Sequence, residues 1–147
     1  EAEVINDAVC MRVFELFRTH LLKARYTEPS AGDEPPSDPD ERTELFVGDL
    51  SASQLEHYHK AQSRLDEQGV MEVCLETIAN DDVEAKMNPL NTCAIELAIE
   101  LQIGGNPVTQ ASVARYINSQ NGAKLLTALH ERIHKTTEML EVHRVAQ

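Results

Sequence analysis

Residues His130-Glu131-Arg132-Ile133-His134 match the pattern H-E-x-x-H. On a helix this spacing sets two imidazoles one turn apart, where both can ligate zinc while the Glu activates a bound water. The chemistry also needs a third ligand, and the following Lys135-Thr136-Thr137-Glu138-Met139-Leu140 brings no G-x-x-H continuation. Glu138 shares the helix face of His130 and His134, but three ligands on one straight helix do not converge on a tetrahedral ion. His143 lies farther along. No sheet edge is expected against which a peptide substrate could lie. The expectation is therefore a solvated helix face, with no catalytic residue, no metal and no cofactor.

The other reactive side chains point the same way. His57 and His59 are two apart, so they project to different sides of a helix. Cys10, Cys74 and Cys93 are odd in number, lack C-x-x-C spacing and sit in apolar helical patterns, which predicts reduced thiols in a cytosolic protein. Asp33, Asp38 and Asp40 suggest calcium, yet their run lacks the central Gly and closing Glu of an EF-hand loop. With 25 acidic against 13 basic side chains, net charge −12, the surface repels phosphate backbones and anionic lipid. Nucleic acid and membrane surfaces are excluded as expected partners. Aromatic residues are only 4%, too few for base-stacking platforms.

The elements that would position such groups are helical. An apolar fraction of 41% supports a core, and no stretch alternates with period two. No run is long enough to span a membrane. The chain opens in mid-pattern at Glu1-Ala2-Glu3-Val4 without an initiator Met, which predicts an excised or processed segment. A first helix is expected over residues 4–25, with Ile5, Val9, Val13, Phe17 and Leu21 at four-residue spacing, widened by Phe14 and Leu16. Residues 27–42 hold four prolines and six acids, too polar to offset ordering entropy, so a disordered acidic loop is expected over 27–43. Leu45-Phe46-Val47-Gly48 is expected to touch the core briefly.

Ser51-Ala52-Ser53-Gln54 reads as a capping box opening a helix with Leu55, Tyr58, Gln62 and Leu65 on one side, closed by Gly69. Val70, Val73, Cys74, Thr77 and Ile78 make the next helix, ending at Asn80-Asp81-Asp82, with a short piece over 83–87. Asn88-Pro89 is a start signal, because the Asn caps and the proline's missing N–H costs nothing at the first position. Leu90, Cys93, Ala94, Leu97, Ala98 and Leu101 follow. Gly104-Gly105-Asn106-Pro107 is then a tight structural corner that stops one helix and starts another. Val108, Ala111, Val113, Ala114 and Ile117 are the expected face of that helix, and Leu125, Leu126, Leu129, Ile133 and Leu140 of the last. The prediction is an all-α chain of about six helices, an armadillo-like α-solenoid or an irregular bundle. Its divisions are an N-terminal helix (1–26), the acidic loop (27–43) and a helical domain (44–147).

Residues 94–110, Ala-Ile-Glu-Leu-Ala-Ile-Glu-Leu-Gln-Ile-Gly-Gly-Asn-Pro-Val-Thr-Gln, carry a resemblance. They resemble the aliphatic helix ending in Gly-Gly-Asn, then a helix with a Gln four residues on, in the cytosolic helical region of inositol trisphosphate and ryanodine receptors. The stretch from Ala61 to Gly69 and that from Ala123 to Arg132 are similar to flanking helices of the same region. The resemblance covers about the last two-thirds of the chain; residues 1–52 lie outside it. It implies a non-catalytic coupling segment of a tetrameric calcium-release channel, on the cytosolic face of the endoplasmic reticulum. Such a segment relays ligand binding to the pore, its partners being neighbouring helical domains of the same protein. No ligand-binding or pore residue of that family maps here, and His130, Glu131 and His134 fall in a helix with no metal role there. The alternative is a free-standing helical interaction domain of a scaffold or adaptor, with an acidic face for a basic partner.

Overall fold

A computed structural model describes residues 2–26, 50–80 and 88–146, without the side chains of residues 2–6 and 26. The expected acidic loop at 27–43, the core contact at 45–48 and the short piece at 83–87 all lie outside the described residues. Six α-helices occur among the described residues: α1 (Ala2–Tyr26), α2 (Ala52–Glu67), α3 (Val70–Ala79), α4 (Pro89–Glu100), α5 (Pro107–Ile117) and α6 (Gly122–Val145). The fold is all-α.

Helix starts follow the capping chemistry. Ser51 Oγ accepts from Gln54 N at 3.2 Å while Gln54 Oε1 accepts from Ser51 N at 2.9 Å, so two otherwise orphaned donors at the head of α2 are satisfied reciprocally. Asn88 Oδ1 and Asn106 Oδ1 accept from the amides of Leu90 and Val108, at 3.1 and 3.0 Å, with proline in the first turn of α4 and α5. Gly122 opens α6 pressed against the Ile117 carbonyl, where a Cβ would collide. A side chain there would push the end of α5 and the head of α6 apart.

Packing is not a ladder of nearest neighbours. The most extensive pairing joins α1 to α4, and α3 touches α2, α4, α5 and α6. This is an irregular bundle with α3 at its middle. Leu21, Tyr58, Met71, Cys74, Leu97 and Leu101 are fully buried, each large side chain contributing about 1.5–3 kcal/mol relative to exposure. No helix of the described residues is long and apolar enough to cross a membrane.

Four expected faces are corrected. On α3, Val73 is exposed while Val70, Cys74 and Ile78 are buried. On α1, Val9, Val13 and Leu16 are exposed, and the buried face is Phe14, Leu21 and Ala24 with Phe17 half-buried. A strict four-residue step advances 400° on a 3.6-residue helix, so the expected stripe drifts about 40° per step off the core. On α5, Val108, Ala111, Ala114 and Ile117 are exposed; Thr109 and Tyr116 are buried instead. Short α5 meets α2 and α3 along a polar edge, where hydrogen-bonding groups fit better than aliphatic ones. On α6, Leu125 and Ala128 are buried, but Leu126 is exposed, and Ile133 and Leu140 are 67% and 65% exposed. The second half of that helix extends past the elements that cover the first.

Candidate functional site

His130, Glu131 and His134 are exposed on α6, and His134 Nε2 lies 3.3 Å from Glu138 Oε1 one turn along the same helix. Among the described residues, no group of three or more His, Cys, Asp or Glu side chains is placed to hold a metal ion. The pattern therefore remains four side chains of one solvent-facing stretch, unjoined by any donor from another element.

The Gly104-Gly105-Asn106-Pro107 corner has a different setting. After α4 the chain turns through Leu101–Gly104, and Gly104 and Gly105 both take positive φ, +90° and +70°. A Cβ on Gly104 would stand 2.9 Å from Leu55 Cδ1 and 3.0 Å from His59 Nε2, so glycine serves both the left-handed turn and the close approach of α2. Turning the chain this tightly leaves the carbonyls of Glu100, Ile103 and Gly104 without helical partners, and α2 supplies donors for all three.

Gln62 Nε2 donates to the main-chain oxygens of Glu100 and Ile103, both at 2.9 Å. The His59 ring lies with Nε2 3.0 Å from the Gly104 oxygen, and since a carbonyl only accepts, that nitrogen carries the proton. Asn106 returns the arrangement. Its Nδ2 faces His59 O at 3.1 Å, Gln62 Oε1 at 3.2 Å and Ser63 Oγ at 3.1 Å, while its Oδ1 caps α5. One buried amide thus joins the head of α5 to the middle of α2.

A third element enters through the last turn of α1. Arg25, 6% exposed, sits with its guanidinium 3.3 Å from Glu100 Oε1 and its carbon 5.5 Å from the Tyr58 ring centre. The Tyr58 hydroxyl donates towards the same carboxylate oxygen at 2.6 Å and towards the Glu100 carbonyl at 2.7 Å. Burial first, and then the Glu100 charge, push the Tyr58 phenol far above its ordinary value, so it stays a donor at every physiological pH. Cys74 lies buried nearby in α3, its thiol pushed up to about 12 by desolvation, an inert apolar filler.

These contacts make a joint: except for Arg25 Nε, which makes no hydrogen bond to a described residue, its donors face acceptors inside the protein. The sequence marked the corner and placed Gln62 and Tyr58 on the inner side of α2, but gave no role to Arg25, Glu100 or His59. A signal for Arg25 existed, since it falls in helical phase with Phe14 and Leu21. No family model matches this chain, and no curated protein or solved structure matches it either.

Proposed function

We propose that this chain is a non-catalytic helical coupling segment of an intracellular ligand-gated calcium-release channel, relaying movement between cytosolic ligand-binding domains and the pore. The observation that carries the coupling part is the joint at Asn106. One buried side chain ties the α4–α5 corner to α2, so these three elements move together; displacement at one end of a bonded unit appears at the other. The channel part rests on the likeness of residues 94–110, whose Gly-Gly-Asn corner is this same joint. The reading places the segment on the cytosolic face of the endoplasmic reticulum, in a tetramer, against neighbouring helical domains.

The exposed apolar side chains of distal α6, Ile133, Met139, Leu140, Val142 and Val145, favour a second reading as a helical interaction domain of a scaffold. They point in several directions around the helix, as on an element covered from more than one side.

Two experiments test the first reading. The reading frame around this segment is expected to run to thousands of residues and to end in membrane spans; a short frame without spans removes the channel. Within that frame, Asn106→Ala should leave ligand binding intact and depress calcium release. Equal release by variant and parent would remove the coupling role.

A further inference from the structure

The end of α2, the head of α3, α5 and the turn into α6 enclose a cavity of about 260 Å3. Its wall carries Asp66, Glu72, Ser112, Arg115, Tyr116 and Asn121. Opposite charges meet there without cancelling. Among the described residues Arg115 makes no ion pair within 4 Å of a carboxylate, although Glu72 lines the same cavity. Asp66 is the one acid held in place, its Oδ2 accepting from Ser112 Oγ at 2.6 Å. Tyr116 is 7% exposed, yet its hydroxyl bonds to no described residue, and the Asn121 side-chain amide is likewise unused.

The ring is buried, but the hydroxyl itself is not sealed from solvent, so it can meet water or a ligand in the cavity. Burial raises the Tyr116 phenol above its ordinary value, with the charges of Glu76 and Glu72 adding to the shift, so the hydroxyl stays protonated. The cavity therefore offers a guanidinium, a side-chain amide, two carboxylates and a neutral hydroxyl, with Arg115, Glu72 and Asn121 exposed to solvent and Asp66 half-buried. Its volume lies below the ~300–1,000 Å3 typical of drug-sized ligand pockets, so the occupant is small.

We propose that this cavity binds a small zwitterion, a free α-amino acid, with its carboxylate on Arg115 and Asn121 and its ammonium on Asp66 and Glu72. Planar, two-pronged recognition of a carboxylate suits a guanidinium not already committed to a partner. An ammonium with three donors suits a pair of acids of which one is fixed by Ser112. The Tyr116 hydroxyl is a further hydrogen-bond partner for the bound molecule. The inference is independent of the coupling role: it holds for a channel segment or a scaffold domain.

The test is a heteronuclear NMR titration of the 147-residue chain with glycine, glutamate and lysine, using acetate and methylammonium as single-charge controls. The expected result is a saturable shift for at least one amino acid, centred on residues 66–72 and 112–121, with both controls at least ~10-fold weaker. Arg115→Gln and Asp66→Asn should each lower that affinity ~10-fold or more, the loss of a charge-assisted contact, with unchanged circular dichroism. Tyr116→Phe should weaken it less, and serves as the variant least able to disturb folding. Linear, non-saturating shifts for all three amino acids would overturn the proposal. So would acetate or methylammonium binding as tightly as the amino acids, or Arg115→Gln leaving the affinity where it was.

Discussion

Tyr58 and Tyr116 are both buried phenols, 0% and 7% exposed, set on neighbouring helices of one small bundle. The first donates its hydroxyl hydrogen bond to Glu100 within a joint shared by α1, α2 and the α4–α5 corner. The second has no hydrogen-bond partner among the described residues and faces a cavity lined by Asp66, Glu72 and Arg115. Similar residue types, an acid, an arginine, a tyrosine and an amide, serve both regions. The difference is closure. Where polar groups satisfy one another they fix geometry, and where they are left open they are available to something else.

The largest test of that contrast is Glu100→Ala. It leaves the Arg25 guanidinium buried without its carboxylate, and removing one member of a buried pair costs about 3–5 kcal/mol. Chemical denaturation should show that loss at an unchanged m-value. A loss near that of a surface substitution would mean the joint is wet, and the contrast with the cavity would dissolve.

Asn106→Ala comes next. It removes the α5 cap and the donors facing His59 O, Gln62 Oε1 and Ser63 Oγ. A lost cap and an orphaned buried acceptor each cost about 1–2 kcal/mol, so the expected total is about 2–4 kcal/mol by thermal or denaturant unfolding. Asn106→Asp should not rescue it, because a carboxylate keeps the cap but has no N–H for α2.

Alkaline pH probes the closed interior in another way. The Cys74 thiol ionises near its ordinary 9.0 in the unfolded chain but only at about 12 in the fold. Its folded value is raised, so the stabilisation is complete below pH 9 and is lost as pH climbs towards 12. Inside that window the slope is at most about 1.4 kcal/mol per pH unit. Between pH 9 and 10 the total slope is shared by Cys74 and Cys93, whose thiol is also raised by desolvation and by the charges of Glu15 and Glu96, since Tyr58 adds its own share only above its ordinary 10.0. Cys74→Ala should flatten the pH 9–10 portion of a denaturation series, whatever it does to the absolute stability. An unchanged slope would place the thiol in contact with water.

The helices and their ends were legible in the sequence because they are written locally. Ser51 with Gln54, Asn88 with Pro89 and Asn106 with Pro107 each hold their chemistry within a few residues, and each cap forms as those residues dictate. Gly104 was legible as a stop, but not as the place where Leu55 and His59 come close, since those neighbours lie more than forty residues upstream. The α1 face was misread because four-residue spacing was followed past the length over which it stays in phase. Glu100 and Arg25 escaped notice for a different reason. Charged side chains default to solvent, and only a partner brought from another helix makes their burial affordable. The cavity draws on α2, α3, α5 and the following turn, so no local pattern could have assembled it.

Tyr116→Phe carries the smallest expected effect and separates the two regions most cleanly. In the closed joint, Tyr58→Phe takes a donor from the Glu100 carboxylate and should cost about 1–3 kcal/mol. At Tyr116 the ring keeps its packing and the hydroxyl gives up no protein partner, so the change should stay within about 0.5 kcal/mol in either direction. The paired measurement needs only denaturation curves for the two phenylalanine variants under one buffer. A large loss at Tyr116 would reveal a structural role for its hydroxyl and close the cavity as a binding site. Two small effects would instead move Tyr58 out of the joint. A large cost at residue 58 beside a negligible one at 116 leaves the second hydroxyl, which the fold does not use, available for water or a ligand.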